Sequence, residues 1–127
     1  MAEACLPHTN IRIQSPKPIR FVRTAKEDLS AFPGTAKRQA GNELFMLQTG
    51  RNPDDWKPMP AVGAGTCEIR IADASGAFRV IYVAKFKDAI YVLHAFQKKT
   101  ARTSSNDIKI AKRRYREAKR VSEVVAI

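Results

Sequence analysis

The sequence predicts an α+β domain with elements in the order β-α-α-β-β-β-α. A mainly antiparallel sheet is expected to pack on two N-terminal helices and to be followed by a basic C-terminal helix. Three observations point there. Alternating apolar residues form three consecutive runs over 66–97, separated by turns short enough for hairpins. Apolar residues at helical spacing precede that block. A further helical repeat, set in a dense run of Lys and Arg, follows it. With 127 residues, 44% of them hydrophobic, the chain has room for one domain with a real core.

Pro7, Pro16 and Pro18 lie among scattered polar residues, so 1–18 reads as an irregular extension, 19–120 as the domain and 121–127 as a tail. Ile19-Arg20-Phe21-Val22-Arg23 alternates like a strand, and a short helix is expected from Ala25 to Phe32. Pro33 suits the first turn of a second helix, where its missing N–H costs nothing. Ala36, Ala40, Leu44 and Leu47 form one buried stripe of that helix, and Gly50 is its stop. Residues 50–65, GRNPDDWKPMPAVGAG, read as a long loop that Trp56 anchors in the core. Strands follow at 66–72, 78–85 and 89–97. Ser104 and Asp107 have capping-box spacing and open a helix to about Arg120. Its Ile108, Ala111, Tyr115 and Ala118 share one face.

The chain carries 23 Lys and Arg against 12 Asp and Glu, a formal charge of +11. Ten of the basic residues fall within 98–120, where Asp107 and Glu117 are the only acids. Such a field attracts polyanions and is the footprint of a nucleic-acid binder. No apolar run approaches a membrane span, and MAEACLPHTNIRIQ lacks the basic start and apolar stretch of a leader. A cytoplasmic protein without membrane contact is expected. Cys5 and Cys67 are the two cysteines, with no CxxC and no His-rich pair beside either. No metal or cofactor is therefore expected, and Cys67 reads as a small buried hydrophobe. Ser-His-Asp, paired-carboxylate, Walker and GxGxxG patterns are missing, which argues against the common hydrolase, kinase and dehydrogenase chemistries.

Strand parity gathers a candidate site. If Arg70 lies opposite Arg79, and Arg79 opposite His94, then Cys67, Ile69, Ile71, Phe78, Val80, Tyr82, Tyr91 and Leu93 share the face toward the first two helices. Ile81, Val83, Ile90 and Val92 then lie on the other face with Arg70, Arg79 and His94. A one-residue slip would bury Arg70 among aromatic residues, where an unpaired guanidinium is costly. Lys98 and Lys99 leave the same strand just past His94. Two arginines, an imidazole and two lysines suit a phosphodiester whose charge rises as it is attacked. His94 is suited to proton exchange near neutral pH. The alternative for each is structural: Arg70 pairing with Glu68 or another acid, Arg79 tying down a loop, His94 packing, and Lys98 and Lys99 as solvated charge.

The segments DWKPMPAVGAGTCEIRI, FRVIYVAKF, AIYVLHAFQKKT and DIKIAKRRYRE resemble the phage-derived, HigB-like branch of the RelE/ParE toxin superfamily. The resemblance covers about residues 19–120. It implies a RelE-like compact fold and the toxin of a type II toxin–antitoxin pair. It further implies a ribosome-dependent mRNA endoribonuclease that attacks through the RNA's own 2′-hydroxyl without a metal. The implied catalytic positions are Arg70, Arg79, His94, Lys98 and Lys99. Arg102, Lys109, Lys112, Arg113 and Arg116 are the candidate contacts to RNA and ribosome, and a small helix-turn-helix antitoxin is the implied partner. RelE has a tyrosine after its last strand where this chain has none, so the resemblance leaves open which group moves the proton. The ParE branch shares the fold but targets gyrase, so a protein-inhibiting toxin is the alternative, followed by a plain nucleic-acid-binding module.

Overall fold

The computed structural model describes residues 16–125. Its elements are β1 (Ile19–Phe21), α1 (Ala25–Ser30), α2 (Gly34–Gln48), β2 (Trp56–Pro58), β3 (Thr66–Asp73), β4 (Gly76–Val83), β5 (Ile90–Lys98) and α3 (Ser105–Val125). The five strands form one sheet in the order β1-β5-β4-β3-β2. Only β1, which pairs with β5, runs parallel to its neighbour. Among the described residues no helix is long and apolar enough to cross a membrane. Most of the expected extension lies outside the described residues.

Three differences from the sequence expectation have physical causes. Strand β2 sits inside the segment expected to be a loop. Its pairing comes from β3, with Trp56 opposite Ile69 and Pro58 opposite Cys67, rather than from local propensity. Trp56 packs against the core as expected. Pro33 caps α2 from outside the first turn, with extended backbone at ψ 154. Helix α3 runs past Arg120 into the expected tail, where the buried Ser122 donates its hydroxyl to Asp88 Oδ1 at 2.7 Å.

The sheet is covered on both faces. Ala25, Leu29, Ala36, Leu44 and Leu47 of the first two helices pack on Cys67, Ile69, Ile71, Phe78, Val80 and Tyr82. On the opposite face Ala111, Tyr115 and Ala118 of α3 meet Ile81, Val83, Tyr91 and Leu93. Tyr91 and Leu93 thus lie opposite to expectation, and Ile90 and Val92 take their place beneath α1 and α2. The cause is a bulge. Ile81 pairs with His94 but Tyr82 pairs with Val92, which leaves Leu93 as an extra residue. Parity carries along a strand only while no residue is inserted, so the first half of β5 is reversed relative to the second.

One buried acid lies away from the cationic strands. Glu43 of α2 is 3% exposed and accepts the Asp54 amide at 2.6 Å. Burial pushes its carboxyl above the ordinary value. The folded-state pKa therefore exceeds the unfolded one, so protonated Glu43 favours the fold. That contribution is complete below about pH 4.3 and is lost as pH rises through the folded value. Glu43→Gln should flatten this part of the stability profile, read as the urea midpoint against pH. An unchanged slope would contradict the assignment.

Candidate functional site

Helix α3 covers only one end of its sheet face. Beyond it, one row crosses three strands: Arg70 on β3 pairs with Arg79 on β4, which pairs with Phe96 on β5. Lys98 lies two pairs further along, opposite Ala77. Lys57 on β2, opposite Glu68, belongs to the same side. The expected pairing of Arg70 with Arg79 holds. Arg79, however, faces Phe96 rather than His94, and His94 faces Ile81, so the imidazole lies two residues further toward α3. All three residues still share the face, because the bulge lies on the far side of His94 from Phe96.

Each arginine has its own carboxylate. Glu68 is 0% exposed and accepts the Thr103 hydroxyl on Oε2 at 2.7 Å, while its Oε1 lies 3.7 Å from Arg79 Nε. Those last two atoms are buried without a hydrogen bond, so charge alone joins them. Arg79, 9% exposed, also donates Nη1 to the Phe78 carbonyl at 2.9 Å. Burial lowers its pKa and Glu68 opposes the shift. Arg70 is far more open. It lies 3.6 Å from Asp55 Oδ1, and its amide donates to the Asp55 carbonyl at 2.9 Å. Glu68 thus serves Arg79, and of the acids expected for Arg70, Glu68 or another, it is Asp55 that lies beside it. Lys98 has its pKa lowered, first by desolvation and then by Arg79, with Lys57 and Arg70 adding to the effect. Four cations therefore act on one another across this face, against two carboxylates.

His94 joins the site to α3. Its Nε2–H donates to Asp107 Oδ1 at 2.7 Å, and Asp107 Oδ2 accepts the Ser104 hydroxyl at 2.7 Å. The Asp107 amide in turn donates to Ser104 Oγ at 3.1 Å, completing the helix cap that the spacing predicted. The His94 ring stacks on Phe96 with centroids 4.8 Å apart and 23° between planes. Nδ1 is buried and has no hydrogen-bond partner.

The remaining predicted residues divide. Lys99 follows the end of β5, is exposed, and makes no hydrogen bond or ion pair among the described residues, so it stands outside the cluster. Arg102 is exposed in the connection to α3. Lys109, Lys112, Arg113 and Arg116 are all exposed at helical spacing and form one basic stripe. Arg114 turns inward instead, donating to the Leu93 carbonyl and to the Thr24 hydroxyl, both at 3.0 Å. Sequence reasoning missed Lys57, Phe96 and Asp107 as members of this assembly. Alternation alone could have found Phe96, two residues after His94. Lys57 had no local signal, since its strand was hidden by Pro and Gly.

Fold and face together define a small α+β protein that clusters cations on one sheet face, with Arg70 and Lys98 partly exposed and Arg79 and His94 buried. Residues 27–116 match the family model described as "Phage derived protein Gp49-like (DUF891)", and the chain belongs to that family. No curated protein matches its sequence. Among solved structures it is similar to a chain of the toxin–antitoxin complex RelBE2 from Mycobacterium tuberculosis. There the identity is 24% and the TM-score 0.44, over 68% of this chain and 95% of that one.

Two stability changes test these contacts. Glu68→Ala leaves Arg79 buried without its counter-charge and should cost about 3–5 kcal/mol in urea unfolding. Ser104→Ala removes the cap and should cost about 1 kcal/mol. A neutral Glu68→Ala would mean that Arg79 finds solvent or another acid.

Proposed function

We propose that this protein is the toxin of a type II toxin–antitoxin pair and cleaves messenger RNA on the ribosome. The observation that carries the reading is the gathering of Arg70, Arg79 and Lys98 on one sheet face beside His94, with Arg70 and Lys98 partly exposed. Membership of the phage-derived family and the resemblance of its motifs to HigB-like toxins agree with it. The antitoxin partner, of helix-turn-helix type, comes from that resemblance, and a cytoplasmic site of action is carried over from the sequence expectation.

In this reading the RNA's 2′-hydroxyl attacks the adjacent phosphorus and the 5′-oxygen departs. Charge rises on the phosphate oxygens as the attack proceeds. Arg70 and Arg79 supply paired donors to those oxygens, and Lys98 adds a point charge. The Glu68 contact holds Arg79 in place before substrate arrives, so little reorganisation is needed in the transition state. Asp107 fixes the His94 ring and leaves Nδ1 as the nitrogen for proton exchange, once the covering of that atom is displaced. Lys99 and Arg102, together with Lys109, Lys112, Arg113 and Arg116, hold the sugar-phosphate backbone of message or ribosomal RNA. The ribosome supplies part of the geometry, so cutting of naked RNA is expected to be weak.

The test is to map transcript 5′ ends after brief induction. Clusters of new ends within translated codons are expected. Arg79→Ala and His94→Ala should abolish growth arrest, with Arg79→Ala slowing cleavage about 10²–10³-fold. Antitoxin binding should persist in both variants. Intact transcripts accompanied by DNA damage would instead favour a gyrase-directed toxin. Harmless high-level expression would leave only a nucleic-acid-binding module.

A further inference from the structure

We propose that the groove between the β4–β5 turn and the last turns of α3 docks an acidic peptide segment of a partner protein, with one large apolar side chain seated on Phe86. The proposal goes beyond the reading above and does not depend on RNA cleavage.

The groove has a volume of about 300 Å³, a mainly apolar floor, and a lining of Lys85, Phe86, Lys87, Lys119, Ser122 and Glu123. That is roughly ten times a water molecule's share of the liquid, room for one bulky side chain but not for a folded element. Phe86 is half-buried, with its ring 5.8 Å from Tyr91, edge-on, and 6.2 Å from Tyr115. Both tyrosines belong to the core under α3, so the ring is held in place while part of it faces the groove. The walls are fixed too. Ser122 and Tyr91 donate their hydroxyls to Asp88 Oδ1 and Oδ2, at 2.7 and 2.6 Å, which ties the helix end to the turn. Lys85 lays its stem over Gly65, where a Cβ would meet Lys85 Cδ at 2.5 Å. A groove held this way needs little ordering when it is filled.

The rim selects the occupant. Lys85, Lys87 and Lys119 are exposed around the apolar floor, against one acid, Glu123. Carboxylates flanking an apolar anchor complement those ammonium groups, while the lysine stems cover the anchor. A small molecule is less well served, because Ser122, the one buried polar lining residue, is already bonded to Asp88. RNA is less well served because no arginine lines the groove to offer phosphate its paired donors, and Glu123 repels it. The helix end agrees. From Val121 on, VSEVVAI carries no Lys or Arg, and Val121, Val124 and Val125 are exposed. A basic helix that turns apolar in its last described turns suits a protein partner better than a polyanion. At 1.5 Å per residue, Ser122 lies roughly 22 Å along α3 from Asp107, which bonds His94. A short peptide in the groove therefore leaves the cationic cluster uncovered.

The experiment pans a displayed library of random dodecapeptides against the full chain, then measures synthetic copies of the enriched peptides by fluorescence anisotropy. Enriched peptides should share one large apolar residue flanked by Asp or Glu. Phe86→Ser should weaken them at least about tenfold, as loss of an aromatic anchor does. Lys119→Glu should weaken them by a similar factor, whereas Lys112→Glu, the same charge change elsewhere on α3, should leave binding nearly unchanged. Thermal melting of each variant checks folding. Amide chemical shifts of the wild type, which need no variant, should move at 85–87 and 119–123. Selected peptides without acids, shifts centred on Arg70 and Lys98, or no enrichment over the Lys119→Glu chain would overturn the proposal. Short single-stranded RNA that moves the same groove amides would overturn the choice of a peptide. Selection as expected, with transcripts intact in induced cells, would leave this proposal standing and remove the reading above.

Discussion

The extra residue at Leu93 is the constraint on which the two faces of the sheet depend. Before it, β5 places Ile90 and Val92 beneath α1 and α2 and gives Tyr91 and Leu93 to α3. After it, the strand sets His94 and Phe96 on the α3 side and Ala95 on the other. Without that insertion the apolar half could be buried correctly only by turning the imidazole and aromatic ring away from Arg79. Bulges re-aim side chains at a local cost in ladder hydrogen bonds. Here the re-aiming lets one strand complete two cores and still contribute to the cationic row.

Electrostatics then decides how that row persists. Two guanidiniums opposite each other on neighbouring strands repel, and a third cation on the next strand adds to the repulsion. The fold answers with unequal partners. Glu68 is fully buried and keeps Arg79 charged inside the protein, whereas exposed Asp55 touches Arg70 only loosely. In the proposed function an incoming phosphate would meet one arginine that is already fixed and another whose carboxylate is screened by solvent and easily displaced. The Thr103 bond to Glu68 fastens the segment after β5, so the start of α3 and the row are held as a unit.

Much of this was legible in the chain. Alternation fixed the β3–β4 pairing, Arg70 against Arg79 included, because burying either arginine among Ile69, Ile71 and Phe78 would be prohibitive. Ser104 and Asp107 announced the helix start through a spacing that needs no tertiary context. The bulge was not legible, since nothing in Val92-Leu93-His94 marks an inserted residue when both parities bury aliphatic side chains. Strand β2 was hidden for a different reason: three residues ending in a proline have no periodicity to display. Its absence from the sequence reading removed Lys57 from the cluster and left Asp55 without an assigned partner.

The sheet ends at both sides in strands of only three residues, Ile19–Phe21 and Trp56–Pro58. The second contains a proline, which has no N–H to offer a newcomer, beside a lysine that a flat apolar neighbour would have to desolvate. Fibrillar growth by edge-to-edge addition is thereby discouraged, even though the interior strands are rich in β-branched residues. Among the described residues, a strand arriving from outside would find only three-residue margins, one of them closed by a proline.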